Sequence, residues 1–369
     1  METVNLAVKY RPQTLDDVVG QQHVVSQLKG MFSKGKMPNS FLLTGPTGLG
    51  KTTLARIIAR YINCEKPDTE KHAPCGECRN CEFEQDHPDV VEINAADSRG
   101  IDDVRALVQQ ARNMPQFGKH RVFIIDEAQQ LTSQAQQVLL KPLEEPPKRT
   151  LWIIASMSPE KLLPAIAGRC LNLPLRPVTN EDIARRLYRI ARREGHDFKK
   201  IDGGIDILKT IGDYANGGMR SSVNILESVL HGIDSGEEVD KKMLLQRFLA
   251  TGEAQADDVA CDILVAILKR DLVSVVRHCS RADDLRTVMY KMRFLLDFLI
   301  ANSAKCAKFT PYSGKLFAKK ATDVKVSLAV LIKLQAELLN VEWRLNSMSV
   351  DTRIVFIAML GDFVNNLSK

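Results

Sequence analysis

The sequence predicts an α/β domain, a parallel sheet with flanking helices, followed by a region of helices alone. Three stretches carry that expectation. The run Phe41-Leu-Leu-Thr-Gly-Pro-Thr-Gly-Leu-Gly-Lys-Thr-Thr53 reads as a buried strand, a glycine-rich loop and a helix start, and its apolar period continues from Leu54 to Ile62. Arg121-Val-Phe-Ile-Ile-Asp126-Glu127 is an unbroken apolar strand ending in two carboxylates, the pattern of a parallel strand buried on both faces. Beyond about residue 242, apolar residues recur only at helical spacing.

With 369 residues the chain has room for two or three domains, and its 44% apolar and 26% charged residues are ordinary for a globular protein. Its longest uncharged apolar runs, such as Ile354 to Gly361, fall well short of the roughly 20 residues that span a bilayer. Met1 to Leu15 mixes charges with apolar residues and contains Pro12, unlike a secretory signal. A cytosolic protein without membrane contact is therefore expected. The formal charge of +6 permits nucleic-acid binding without indicating it. Of the eight cysteines, four cluster between Cys64 and Cys81 while Cys170, Cys261, Cys279 and Cys306 are scattered. In a reducing compartment the cluster reads as metal ligands and the singles as small buried hydrophobes.

Taken in order, Pro12 and its restriction on Arg11 favour an extended arm, and Thr14 or Asp16 is placed to cap a helix. In Gly45-x-x-x-x-Gly50-Lys51-Thr52 the glycines allow backbone N–H groups to surround β- and γ-phosphates. Lys51 supplies a cation, and the Thr52 hydroxyl can ligate Mg²⁺. The helix N-terminus adds its positive dipole end. The alternative is a glycine-rich turn without nucleotide. Cys64-x10-Cys75-x2-Cys78-x2-Cys81 offers four soft ligands in one Pro- and Gly-rich segment, which suits a closed, structural Zn²⁺ site; unliganded thiols or a redox pair are the alternatives.

Val90 to Ile93 forms a second strand candidate, and Asn94 to Arg105 turns into a helix. At the end of the third strand, Asp126 would hold Mg²⁺ through water and Glu127 would act as general base, against the plain reading of surface carboxylates. The helix Ser133 to Glu145 contains Pro142, so a kink or early termination is expected. A fourth strand, Leu151 to Ala155, ends at Ser156. Thr179, Asn180 and Glu181 then start a run of polar helices, and Asn216-Gly-Gly-Met-Arg-Ser-Ser222 ends one helix and begins another. Val288, Met292, Leu295 and Leu299, and Leu331, Leu334, Leu338, Val341 and Leu345, form helical stripes suited to a core or to subunit packing. No catalytic constellation is visible among them.

The phosphate loop, the opening Tyr10-Arg11-Pro12 with Val19-Gly20-Gln21, and the four-cysteine segment behind the first helix together resemble the AAA+ clamp-loader ATPases. Within them, the likeness narrows to the gamma/tau and delta-prime branch of bacterial DNA polymerase III. The resemblance covers about residues 5 to 230, and the later helices only loosely. It implies an AAA+ ATPase domain over 1–178 with a zinc module at 64–81, a helical lid at 179–242 and an all-helical collar at 243–369. The chain ends at Lys369 without a long Pro-rich linker, so a short, gamma-like form is expected.

By the same resemblance, Tyr10, Arg11, Val18 and Val19 border the adenine, and Gly45, Thr47, Gly48, Leu49, Gly50, Lys51, Thr52 and Thr53 hold the phosphates of ATP. Ser156, where the family usually has Thr, reads the γ-phosphate, and Arg220 does so from the lid; an exposed Arg is the alternative for the latter. Gln129 stands where the family has His. Arg169, in Gly168-Arg169-Cys170 rather than Ser-Arg-Cys, would serve the active site of a neighbouring subunit, the alternative being a surface ion pair. Arg99 and Arg105, with Lys119 and Arg121 as weaker candidates, would track DNA phosphates, the alternative being a solvated helix face.

The implied function is that of an ATPase subunit of a sliding-clamp loader, assembled with other loader subunits in a ring or spiral, a pentamer in this family. ATP binding opens the clamp, primer-template DNA enters, and hydrolysis releases the clamp. A catalytically silent stator is the second reading, opposed by the intact Lys51, Thr52, Asp126 and Glu127. An ATPase remodelling branched DNA is the third, disfavoured by the zinc cysteines and the helical third domain.

Overall fold

The computed structural model describes residues 5–81, 87–236, 252–282, 285–303, 312–322, 327–347 and 352–366. It divides into two compact units, Met1–Gly212 with Gly217–Glu227, and Asp213–Asn216 with Ser228–Lys369. The domain boundary expected at 178/179 falls inside the first unit, and the one expected at 242/243 lies outside the described residues.

The first unit is a parallel sheet of β1 (Ser40–Thr44), β2 (Val90–Asn94), β3 (Arg121–Asp126), β4 (Thr150–Ser156) and β5 (Leu171–Pro174) in the order β2-β3-β4-β1-β5. Helices α1 (Leu6–Lys9), α2 (Gln22–Lys34), α3 (Lys51–Asn63), α4 (Ile101–Gln110), α5 (Ser133–Glu144), α6 (Pro164–Ala167), α7 (Asn180–Arg193), α8 (Gly204–Tyr214) and α9 (Met219–Asp234) accompany it, the last two running on into residues of the second unit. Strand side chains alternate between two cores. Val122 and Ile124 of β3 join Leu28 of α2 and Leu54, Ile57 and Ile58 of α3. Phe123 and Ile125 join Val104 and Leu107 of α4 and Leu139 of α5. Helices thus cover both faces, which is why β1, β3 and β4 read as continuous apolar runs. The fully buried Trp152 stacks on Phe123 with ring centroids 4.7 Å apart; truncating it to Ala would cost about 3–5 kcal/mol.

Local signals act as physics requires. Thr14 heads a 3-10 turn, with its backbone N–H and hydroxyl donating to Asp17 Oδ2 at 3.1 and 2.8 Å. Thr179 caps α7 by accepting the Asp182 N–H at 3.2 Å. Gly20, at φ +77, packs so tightly that a Cβ would lie 2.7 Å from Val178 Cγ1. Beside it, the buried Gln21 amide donates to Arg176 O at 2.7 Å and accepts Arg176 N–H at 3.0 Å. Helix α5 is not broken at Pro142 and ends two residues beyond it. The proline sits in the last turn, so only the bond to the Val138 carbonyl is forfeited.

The second unit contains the described helices Gly252–Leu268, Leu272–Arg281, Leu285–Ser303, Tyr312–Lys320, Leu328–Ser347 and Thr352–Asn366. Val288, Met292 and Leu295, with Leu331, Leu334, Leu338 and Val341, are buried in one core, and Leu299 packs partly buried against it. The side chain of Leu345 lies outside the described residues. Cys261 and Cys279 are buried there as small apolar groups, while Cys306 lies outside the described residues. Among the described residues no helix is long and apolar enough to cross a membrane.

Candidate active site

The loop between β1 and α3 turns on three glycines with positive φ, Gly45 (+136°), Gly48 (+80°) and Gly50 (+96°). A Cβ on Gly45 would sit 2.5 Å from the Leu175 carbonyl oxygen, and Gly50 is the N-cap of α3 without any side-chain acceptor. The first N–H groups of α3 therefore have no side-chain partner of their own. Lys51, 5% exposed, donates from Nζ to the Gly45 and Pro46 carbonyls at 2.8 and 3.0 Å. Burial lowers its pKa, against the opposing pull of Glu127 and Asp126. Thr52 Oγ1 donates to Asp126 Oδ2, and Asp126 Oδ1 accepts the Glu127 N–H at 2.9 Å.

These groups face a cavity of about 430 Å³. Thr47, Gly48, Leu49, Gly50, Lys51, Thr52 and Thr53 form its floor, and Asp126 and Glu127 its β3 wall. Tyr10, Arg11, Val18 and Val19 of the N-terminal arm line it, as does Arg220 of α9. Gly45, Ser156 and Arg169 do not. The arm is tied to α7: Tyr10 Oη and Lys9 Nζ both donate to Glu194 Oε1, and Arg186 Nη2 donates to the Tyr10 carbonyl at 2.9 Å. The loop in turn is tied to α9, whose first N–H groups, Met219 and Arg220, donate to the Gly48 carbonyl at 3.1 and 3.3 Å.

Cations crowd the cavity. Burial lowers the pKa of Arg11, and the nearby Arg56 and Arg220 lower it further. Arg186 is lowered by burial as well. Arg56 makes a two-bond pair with Glu92, at 2.7 and 2.8 Å. Arg56, Glu92, Asn94 and Arg186 all line the cavity, and sequence reasoning names none of them as a site residue. Glu92 and Asn94 carry a signal nonetheless, lying at the C-terminal end of a parallel strand where α/β sheets place ligands. Arg56 and Arg186 carry none, because their approach depends on how α3 and α7 pack. An anion with several charges would relieve the mutual repulsion of these groups.

Ser156 is fully buried and reaches the cavity only through Gln129, whose amide lies between it and Glu127. Arg169 is held elsewhere, by Glu144 Oε2 and the Ala165 carbonyl, both at 3.0 Å. Gly168 has an ordinary φ of −70° and room for a side chain, since a Cβ there would lie 3.5 Å from its nearest neighbour, the Pro164 carbonyl oxygen. Arg99 precedes α4 and is exposed; Arg105 is exposed on α4, paired with Asp102 at 3.0 Å. Lys119 Nζ donates to the Cys64 carbonyl at 2.8 Å, and Arg121 is buried, which leaves it little surface to offer a phosphate.

Cys64, the C-cap of α3, meets Cys75, Cys78 and Cys81 with all four Sγ atoms within 4.8 Å of one another. The Cys75–Cys81 and Cys78–Cys81 sulfurs lie 3.7 and 3.2 Å apart. Four sulfurs at about 2.3 Å from one Zn²⁺ would stand roughly 3.8 Å apart, so the set fits a tetrahedral ion. The Cys75 N–H donates to Cys64 Sγ at 3.3 Å, and backbone donors at Glu77 and Cys78 bring the Cys75 thiol down to about 6, whereas burial raises the Cys64 and Cys81 thiols. Such donors favour the thiolate form that binds metal.

A family model described as DNA polymerase III, delta subunit, matches residues 20–179. The chain is 37% identical over 228 residues to the DNA polymerase III subunit gamma of Buchnera aphidicola subsp. Schizaphis graminum, covering 61% of each chain. It is 34% identical over 268 residues to the subunit tau of Escherichia coli K12, covering 72% of this chain and 39% of that one. The match therefore spans less than two thirds of either relative. Among solved structures, the Thermotoga maritima RuvB Holliday junction branch migration motor aligns with 65% of this chain and 72% of its own at 19% identity and a TM-score of 0.48, too slight a likeness to bear on function. The subunit gamma of Buchnera aphidicola subsp. Baizongia pistaciae is 32% identical over 273 residues, covering 73% of this chain and 70% of that one. With that identity over that extent, the chain belongs to the DNA polymerase III gamma/tau family.

Proposed function

We propose that this chain is an ATPase subunit of a DNA sliding-clamp loader. The observation that carries the reading is the meeting of Lys51, Thr52, Asp126 and Glu127 in the lining of one cavity, beside a glycine loop. The loop N–H groups and Lys51 bind the β- and γ-phosphates of ATP, Lys51 exchanging its loop carbonyls for phosphate oxygens. Thr52 and Asp126, already bonded to each other, would hold Mg²⁺, which would supply positive charge to offset that of the phosphates. Glu127 takes the proton of the attacking water. Tyr10, Arg11, Val18 and Val19 enclose the adenine, and Arg220 reaches the γ-phosphate from α9.

Arg169 serves the neighbouring subunit. Its position outside its own chain's cavity supports this, and its exposed pair with Glu144 costs little to exchange. The partners are other loader subunits in a ring or spiral, the sliding clamp and primer-template DNA, the last contacted by the exposed Arg99 and Arg105. Cys64, Cys75, Cys78 and Cys81 would hold Zn²⁺ in a structural role, all four ligands being supplied by the chain.

ATP turnover by the assembled complex, with and without clamp and primer-template DNA, tests the reading. Stimulation by both is expected, and Arg169→Ala should lower stimulated turnover by roughly 10³-fold, as for an arginine supplied in trans. Unchanged turnover in that variant would overturn the shared site, and no stimulation by clamp or DNA would overturn the loader assignment.

A further inference from the structure

Backbone contacts, rather than a capping side chain, fix the start of α9. The residue before Met219 is Gly218, which has no side-chain oxygen to offer the first N–H groups of the helix. Two of those donors, Met219 and Arg220, go instead to one acceptor on another segment, the Gly48 carbonyl. The turn leading into α9 is held as closely. The Gly217 carbonyl accepts the Val178 N–H at 3.0 Å, and a Cβ on Gly217 would lie 2.7 Å from Pro177 Cβ.

The Gly48–Leu49 peptide is trans, no cis bond occurring among the described residues, so its N–H points opposite to its C=O. With the carbonyl turned to α9, the Leu49 N–H is turned to the other side of the loop. It has no hydrogen-bond partner among the described residues, although Leu49 is 4% exposed and its side chain is anchored in the sheet core. Buried N–H groups are nearly always paired, so an unpaired one beside a cavity is a donor left for a ligand.

We infer that the first two N–H groups of α9 position the phosphate loop. By holding the Gly48 carbonyl they keep the Leu49 N–H directed at bound phosphate. Met219 and Arg220 act on the loop through their backbones, separately from the Arg220 side chain. The coupling is reciprocal, so phosphate seated on the Leu49 N–H in turn holds the Gly48 carbonyl against α9. This rests on the ATPase reading above, in which the loop binds the β- and γ-phosphates. If α9 merely packed on the loop, the Met219 side chain would matter and its N–H would not.

Nucleotide binding by the full chain, in the complex with which it purifies, tests the inference. Met219→Pro and Met219→Ala both shorten the side chain, but only the proline removes the N–H, and its ring carbon then meets the Gly48 carbonyl where the hydrogen was. Proline is well tolerated at the first position of a helix, so α9 itself is kept. Relative to Met219→Ala, Met219→Pro is expected to weaken ADP and ATP binding by similar factors of about tenfold, the upper end for one hydrogen bond. AMP, which lacks the β-phosphate, should bind the two variants equally. Equal ADP affinities in the two variants, or an AMP loss as large as the ADP loss, would overturn the inference and leave the ATPase reading standing. Failure of the unsubstituted complex to bind ATP would overturn that reading and the inference with it. Should Met219→Pro fail to fold, hydrogen exchange in the unsubstituted complex replaces it. At equal occupancy, ADP should slow exchange at Met219 and Arg220 about tenfold more than AMP does, and equal slowing would overturn the inference.

Discussion

The two ends of α3 hold two candidate sites and use the helix in opposite ways. At the N-terminal end, Gly50 to Thr52 offer uncapped N–H groups and the positive end of the dipole, so the helix itself favours an anion. At the C-terminal end, Cys64 begins a set of four sulfurs whose thiolates would leave a zinc site net negative beside the negative end of the same dipole. The protein offsets this locally. Lys119 places its ammonium on the Cys64 carbonyl, and the Cys75 N–H points at Cys64 Sγ. The buried Asn63 fastens the helix end by accepting the Lys119 and His120 N–H groups at 3.0 and 2.8 Å. Backbone geometry suits a ligand that exchanges, whereas dedicated sulfur ligands suit one that stays.

The largest expected effect lies at the sulfur end. Removing Zn²⁺ with a chelator, or substituting Cys78→Ser, should take metal content from about one ion per chain to near zero. It should also unfold the module, since structural zinc contributes on the order of 10 kcal/mol or more to folding. Metal analysis with hydrogen exchange checks this, and nucleotide binding should persist. Loss of nucleotide binding on mild chelation would break the separation of the two ends.

Next comes Lys51→Ala. Losing charge-assisted bonds worth about 1.5–3 kcal/mol should weaken ATP binding tenfold or more, measurable by calorimetry, while zinc content stays constant.

The smallest effect concerns Asp89, buried beneath the segment that carries Lys119. Burial pushes its carboxyl up, but N–H bonds from Gly118, Gln116 and Phe117, each 2.7 Å long, outweigh this and hold it below its ordinary value. A depressed folded pKa stabilises above the unfolded value near 4 and is lost as pH falls through the folded value. Asp89→Asn should cost about 1–3 kcal/mol at neutral pH in denaturant unfolding, with the gap to the parent closing in acid.

Much of this is legible from residue order because it is local. Strands β1 to β4 show as apolar runs, and the loop and the Asp126-Glu127 pair carry their chemistry within a few residues. Strand β5 escapes such reading: it has four residues, ends in Pro174 and lies at the sheet edge with only Leu173 fully buried. Pro142 disturbs α5 less than its presence in a helix predicts, since its cost depends on where the helix stops. Arg56 and Arg186 reach the cavity through tertiary packing that no spacing encodes. Gln129 stands out in the sequence as a departure from the family, but its bond to Ser156 exists only because β3 and β4 are neighbours in the sheet.

The most direct measurement is nucleotide binding and single-turnover hydrolysis by the Glu127→Gln complex, run side by side. The expected result is ATP affinity close to that of the parent with turnover lowered by roughly 10²–10⁴-fold, as loss of a general base requires. Parental turnover in that variant would contradict the assignment of Glu127, and with it the reading of the α3 N-terminus as half of a hydrolytic site.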